Sequence, residues 1–401
     1  MTSRAAASPL RAVMDVRRDE LPLALLMAAY FFLVITSFWI LKPIKKALFI
    51  EHYDERGFAL FTWSMTASEA ELLAKVLNMV VAGVAAVVFT WLARRWRRQH
   101  LAYVFCAFFL ASTLAYLPLI TQPGGATVWS FYLFGDLFST LMVATFFAYL
   151  NDSVTPEAAR RLYGLVVFGG VAGGVFGATS VRAFIRALDN VQWLLVCAGL
   201  IGLIAAVAWA AARYVREPAA GRAGGDAALA HGAAGGNAAL EGARLVFRSP
   251  YLLAIAAIVG FYEIVSTVMD FQFTSTVSHY LEGRAIGAHF ATVFAITNAV
   301  SMFVQLVVTS FVMTRFGVGT ALLVLPMLAM LGSLGFAAAP VLWMGSALNT
   351  IDNAFSYSIN QSAREALYTP TTVDEKYKAK AFIDMFVQRF AKAVAVGVSL
   401  L

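Results

Sequence analysis

Three lysines close the first apolar stretch of the chain: Lys42, Lys45 and Lys46, in the string LKPIKKALF. On a helix, Lys42 and Lys46 stand one turn apart on the same face with Lys45 close beside them. Such a group is either a clamp for a polyanion or a set of ammonium heads snorkelling to the interface at a helix end. Position alone favours snorkelling, while the scarcity of lysine at outer helix ends speaks against it. Glu69, Glu71 and Lys75 follow in the next apolar stretch, where Glu71 and Lys75 are spaced as a helical ion pair, a gate or a self-neutralising couple. Asp136 lies in the middle of the fourth apolar stretch, and Glu263 and Asp270 share one face of the seventh, two turns apart. Nothing local neutralises these acids. Each must be protonated, paired with a lysine from another helix or open to a water-filled path, and purely structural acids are rare at such depth.

Asn349, Asp352, Asn353, Ser356 and Asn360 recur every three or four residues, a polar stripe on an otherwise apolar rod. Lipid would not tolerate it, so the stripe lines a cavity or bonds across to another helix, and its length favours a cavity. Asp384, Gln388 and Lys392 repeat the pattern at four-residue steps, with Arg389 adjacent. The glycines of FGGVAGGVFG, Gly169, Gly173 and Gly177, suggest close helix packing. A phosphate loop is excluded there, because no strand precedes it and no Lys-Ser or Lys-Thr closes it. His52, His100, His231, His279 and His289 show no metal-ligand spacing, and no nucleophile with a base stands out in a span. Cys106 and Cys197 both fall in apolar runs, so neither a disulfide framework nor a thiolate metal site is indicated. No enzyme chemistry and no cofactor is expected.

These residues are carried by 401 positions of which 60% are hydrophobic and 13% charged, with a mean hydropathy of +0.74. Soluble domains carry roughly 25% charged residues. The chain is therefore read as an all-α membrane protein, with the lipid bilayer as its surroundings and no nucleic acid as partner. Apolar runs at about 21 to 49, 71 to 93, 101 to 121, 127 to 150, 162 to 185 and 191 to 213 form a first six-helix bundle over 21–213. Further runs at about 251 to 276, 288 to 313, 317 to 338, 341 to 360 and 379 to 401 give a second, incomplete bundle over 249–401, eleven helices in all. Residues 1–20 read as a cytoplasmic tail and not a signal peptide. The Ala/Gly-rich stretch 214–248 reads as a cytoplasmic linker whose composition cannot fold, and Ser249-Pro250 as the N-cap and first-turn proline of the next helix. Alternate loops hold twenty Lys and Arg on one side against three on the other, Arg56, Arg186 and Arg284. That bias puts the N-terminus and the linker in the cytoplasm; the membrane expected is a bacterial inner one.

Two six-helix halves joined by a cytoplasmic linker are the plan of major facilitator transporters. A trace of repetition supports it: Thr155-Pro156 and Thr369-Pro370 each precede charge and a new helix. The plan implies a twelfth helix that the eleven runs do not include.

The loop QSAREALYTPTTVDEKYKAKAFIDMFVQRFAK resembles the matching region of the ATP/ADP translocase family of plastids and intracellular bacteria. That family's pattern is Lys-Glu, an aromatic and Pro, then a basic run into Ile-Asp and a later Arg and Lys. Arg364 replaces the family's Lys, while Glu365, Tyr368, Pro370, Lys378, Lys380, Ile383, Asp384, Arg389 and Lys392 fit. The end of the first helix is similar to the family's Leu-Arg-Asp-x-Lys-Asp-x-Leu, with Leu41, Lys42, Lys45 and Leu48 in register and Pro43 and Lys46 in place of both aspartates. RSPYLLAIAAIVGFY is similar to the family's second-half start, Asp270 falls where a Glu is expected, and Asp136 takes a comparable acidic position. The resemblance implies nucleotide exchange by alternating access, as a distant member. Taken together, the charge and polar-stripe readings and the resemblance place Lys42, Lys45, Lys46, Lys75, Asp136, Asp270, Asn349, Asp352, Asn353, Arg364, Asp384, Arg389 and Lys392 at the substrate, with Phe38, Trp39, Tyr132 and Tyr262 as candidate stacking rings for an adenine. A proton-coupled carrier of another phosphorylated metabolite or organic anion is the nearest alternative. A membrane-embedded enzyme or a scaffold is the alternative of another class.

Overall fold

The computed structural model describes residues 20–54, 57–60, 63–154, 156–215, 236–368, 370–372, 375 and 379–400. The N-terminal tail, most of the linker, Arg56, Thr155, Thr369, Asp374, Lys376 and Lys378 lie outside the described residues, and with them the repeat signal and much of the charge count.

Long helices carry almost everything. In chain order they are α1 (Leu21–Asp54), α2 (Ala67–Arg95), α3 (Arg98–Leu119), α4 (Gly125–Ser153), α5 (Pro156–Phe184) and α6 (Asn190–Ala212). Then come α7 (Gly236–Arg248), α8 (Pro250–Tyr280), α9 (Arg284–Arg315, with a π segment at Val304–Val308) and α10 (Gly317–Ala338). The last two are interrupted. Helix α11 runs Leu342–Phe355, widens into a π segment at Ser356–Asn360 and ends as Gln361–Leu367. Helix α12 runs Lys380–Phe382, widens at Ile383–Val387 and continues as Gln388–Ser399. Nine helices among the described residues are long and apolar enough to cross a membrane. With α11 and α12 they match the eleven apolar runs read from sequence.

Local sequence explains several boundaries. Asp189 and Gln192 form a reciprocal capping box that starts α6. Thr66 and Glu69 do the same for α2. Ser249 accepts from the amide of Leu252 and Pro250 takes the first turn of α8, as its sequence suggests. Before α12, the amide and hydroxyl of Thr372 donate to Glu375 and hold that exposed carboxyl below its ordinary value.

Two features depart from the expectation. A short antiparallel hairpin, β1 (Phe58–Leu60) on β2 (Trp63–Met65), interrupts the all-α plan between α1 and α2. The stretch 236–248 also folds, against the reading of 214–248 as a structureless linker. Helix α7 buries Val246 in a cluster with Leu252, Ile255, Ala256, Val259, Tyr368, Ala379 and Ile383. Composition averaged over the Ala/Gly run hid the apolar side chains at its end, Leu245 and Val246, which pack there.

The described residues fall into two compact units, 20–49, 81–215 and 290–295 in the first, and 50–80, 236–289 and 296–400 in the second. In the first, α5 lies directly on the backbone of α1. A Cβ at Gly169 would stand 2.5 Å from the carbonyl oxygen of Ala28, one at Gly177 2.7 Å from that of Thr36, and one at Gly173 would meet the carbonyl of Phe32. Thr36 donates to the Gly173 carbonyl at 3.2 Å. The four-residue glycine spacing is a packing seam, as read. Around it, Tyr30, Phe31, Phe146 and Tyr149 stack edge and face, and Tyr149 donates to the Ala208 carbonyl of α6. The second unit is organised on α8, which packs against α7, α11 and α12 through apolar side chains and through the polar groups described next.

Candidate functional site

Within the first unit, Lys45 and Lys46 are each only 5% exposed. That decides against snorkelling, since both ammonium groups are enclosed by protein. Lys45 pairs with Asp136 of α4 and stands 4.3 Å from the centroid of Tyr132. Lys42 lies 4.5 Å from the Trp39 ring and 4.8 Å from that of Phe294, and Lys46 lies 5.2 Å from Phe290. Each of the three cations therefore faces an aromatic ring, an interaction that strengthens as water is excluded. Of the rings put forward for base stacking, Phe38, Trp39 and Tyr132 all serve lysines. Lys45 stands nine residues before the end of α1 and Asp136 eleven after the start of α4. At 1.5 Å per residue both are about 15 Å in from those helix ends.

A glycine makes this pair possible. A Cβ on Gly135 would stand 2.7 Å from Cδ of Lys45, so the lysine stem crosses α4 over a residue without a side chain. Gly135→Ala is expected to displace the ammonium from Asp136 and Tyr132 while leaving both helices formed. The check is substrate uptake in vesicles beside the thermal midpoint of the purified protein. Uptake should fall about tenfold, the loss of one charge-assisted contact, with a small midpoint change. Unchanged uptake would mean that the stem finds another route.

The second unit holds the other nine positions named from sequence. Glu71 and Lys75 form the intrahelical pair expected from their spacing, at 2.9 Å, and Lys75 also binds Asp270 of α8. Asn349 donates to the other oxygen of Asp270 at 3.2 Å, while Asn353 turns back to the Asn349 carbonyl. Glu263 faces Lys392 of α12 at 3.4 Å. Asp352 accepts from Tyr262 and Ser266. Arg389 donates to the Met79 carbonyl of α2 at 3.0 Å. Of the three ways to keep an acid inside the protein, Asp136, Glu263 and Asp270 all use a lysine from another helix.

Arg364 and Asp384 form a separate group. They pair at 3.6 Å, and the Gln388 amide, in the orientation its neighbours satisfy, accepts from Arg364 at 2.8 Å. Lys380 binds Glu365 at 2.7 Å and sits over the Tyr368 ring. Arg364 is twelve residues beyond Asp352 on α11, about 18 Å along the rod. The structure therefore does not bring Arg364 to Asp270 and Asp352. The distinctive loop residues instead tie the end of α11 to the start of α12.

Sequence reasoning missed Ser266 and the π segments. Ser266 lies midway between Tyr262 and Asp270 at four-residue steps, a spacing that marks one face of α8. The π segments at Ser356–Asn360 and Ile383–Val387 carry no Gly or Pro and left no such signal. They change the four-residue stripes drawn on α11 and α12, because a wide turn rotates every later side chain away from an ideal α face.

The family model of the Major Facilitator Superfamily matches residues 26–366. The chain belongs to this superfamily. Distant homologues of this major facilitator chain are ADP,ATP carriers. ADP,ATP carrier protein 1, chloroplastic, of Arabidopsis thaliana is 20% identical over 302 residues, covering 66% of this chain and 47% of the carrier. ADP,ATP carrier protein 1 of Chlamydia pneumoniae is 23% identical over 303 residues, covering 66% of this chain and 58% of the carrier. The chain thus spans about half the length of the curated relatives it matches. Among solved structures, the nucleoside transporter NupG superposes with a TM-score of 0.62 at 11% identity, over 95% of this chain and 90% of that one. A bacterial homologue of the human lysosomal transporter Spinster, inward-facing and unoccupied, gives 0.58 at 14% identity, over 95% and 81%. At these identities the two structures establish the fold alone; the superfamily match and the nine apolar helices make the chain a multi-pass membrane transporter, and the carriers are its distant kin.

Proposed function

We propose that the chain carries nucleotides, exchanging ATP and ADP by alternating access. The observation that carries this reading is the lysine group of α1. Lys45 and Lys46 are buried and Lys42 is half-buried beside them, each against an aromatic face, a costly arrangement that a polyanionic cargo makes favourable. Phosphate oxygens would replace ring contacts at these ammonium groups, with Asp136 holding Lys45 in place between cargoes. The kinship with ADP,ATP carriers supports the same substrate class. Lys75, Arg389 and Lys392, balanced by Asp270 and Glu263, would serve the second unit in the same way. The membrane proposed is a bacterial inner one, with the N-terminus cytoplasmic.

A second reading keeps the mechanism and changes the cargo to another phosphorylated metabolite or organic anion, with a coupling proton. It is favoured by Pro43 and Lys46, which stand where the carrier motif has aspartates. Purified protein in liposomes preloaded with ADP separates the two. Uptake of labelled ATP that requires internal nucleotide is the expected result. Uptake into empty vesicles under an acid-outside gradient would select the second reading, and no uptake across a panel of nucleotides and sugar phosphates would remove both.

A further inference from the structure

Asp352 is the one acid of this group held by neutral partners. It is 3% exposed, and its oxygens accept from Tyr262 at 3.2 Å and from Ser266 at 2.6 Å, both on α8. Among the described residues no cation stands in ion-pair contact with it. Its neighbours are different: Glu71 and Asp270 share Lys75, Glu263 has Lys392 and Asp384 has Arg364. Removing a carboxylate from water without a countercharge is unfavourable, and binding a proton is the chemical means of relief.

The two hydroxyls suit both forms of the acid. Each can donate to the carboxylate, and each can turn to accept from a carboxylic O–H. Tyr262 also reaches Ser266 at 3.4 Å, so the three groups form a short hydroxyl–carboxyl chain along one face of α8. Helix α11 widens into its π segment four residues after Asp352, and such wide turns collect at functional positions in helices. The charged and titratable groups that act on Asp352 are Glu263 with its Lys392, Asp270 with its Lys75, and the phenols of Tyr262 and Tyr357. Both acids among them already have a lysine, which leaves Asp352 as the group able to gain and lose charge without breaking an ion pair.

We propose that Asp352 is a proton-carrying site, bonded to Tyr262 and Ser266 in both states, that makes transport responsive to a proton gradient whatever the anionic cargo. The step balances simply. An O–H bond forms between a water-borne proton and an oxygen of Asp352 on one side of the membrane, and the same bond breaks to water on the other. The carboxylate is restored and one proton has crossed.

The test is infrared difference spectroscopy of the full chain in lipid across a pH series, with no cargo present. A protonated-carboxyl C=O band is expected that Asp352→Asn removes and Asp352→Glu moves, while Glu263→Gln and Asp270→Asn keep the band and change only the pH at which it appears. Ser266→Ala removes the closer donor and should shift both the frequency and the pH midpoint of the band. It serves where Asp352→Asn does not insert. No titrating carboxyl band, a band that survives in Asp352→Asn, or one that Ser266→Ala leaves unmoved would each overturn the assignment. A second arm follows lumenal pH in vesicles with ATP outside and ADP inside, where wild-type protein should show a pH change that Asp352→Asn abolishes. Nucleotide uptake without the band would end the proton assignment and leave the nucleotide reading intact. The band without nucleotide uptake would do the reverse.

Discussion

Gly173→Leu is expected to leave no folded transporter in the membrane. The α carbon of Gly173 lies against the Phe32 carbonyl of α1, and the flanking glycines meet the carbonyls of Ala28 and Thr36, so what a new side chain would strike is helix backbone and not a movable side chain. Overpacking a side chain into a tight core costs about 1–3 kcal/mol. Here the whole of α1 would have to withdraw, losing the Thr36 bond to the Gly173 carbonyl as well. A graded series makes the result interpretable: Gly173→Ala should lower the thermal midpoint, and Gly173→Leu should remove the monodisperse peak in detergent. Gly202 of α6 has nothing within 4 Å of an added Cβ, and Gly202→Leu is the control that should behave as wild type. Equal yield and midpoint for the Gly173 and Gly202 leucine variants would show that the seam is not tight.

The second large effect concerns Lys45. Lys45→Ala strands Asp136 among the buried aromatic side chains of α4, and breaking one side of a buried pair costs about 3–5 kcal/mol. Uptake of labelled ATP should fall by at least about 100-fold, the equivalent of roughly 3 kcal/mol of lost contact to an anion. Loss of uptake alone would not separate a cargo ligand from a strut. The double variant Lys45→Met with Asp136→Leu does separate them, because it removes both charges and preserves bulk. Protein abundance and thermal midpoint should return in the double variant while uptake stays lost. Recovery of uptake along with abundance would show that Lys45 only neutralises Asp136, and the polyanion clamp would fall.

The fold was legible in the sequence wherever one physical rule dominated. Hydrocarbon demands long apolar helices, so the runs near 21, 125 and 250 mark α1, α4 and α8, and Ser249-Pro250 marks a helix start to the residue. The site was legible as residue types and not as partners. Glu71 with Lys75 could be paired because both sit on one helix, whereas Lys45 with Asp136 and Lys75 with Asp270 join helices far apart in the chain. Arg364 was grouped with the interior cations because the family pattern lists it beside Asp384 and Lys392. Distance along α11 separates it, and its partners are Asp384 and Gln388. The fold of α7 was missed because Ala and Gly outvote the apolar residues that anchor it.

Both α11 and α12 contain a wide turn. Such a turn stores one surplus residue in an otherwise regular spiral. Every side chain from Gln361 to Arg364 is therefore turned by about 100° from the direction that an unbroken α-helix continuing from Asp352 would give it.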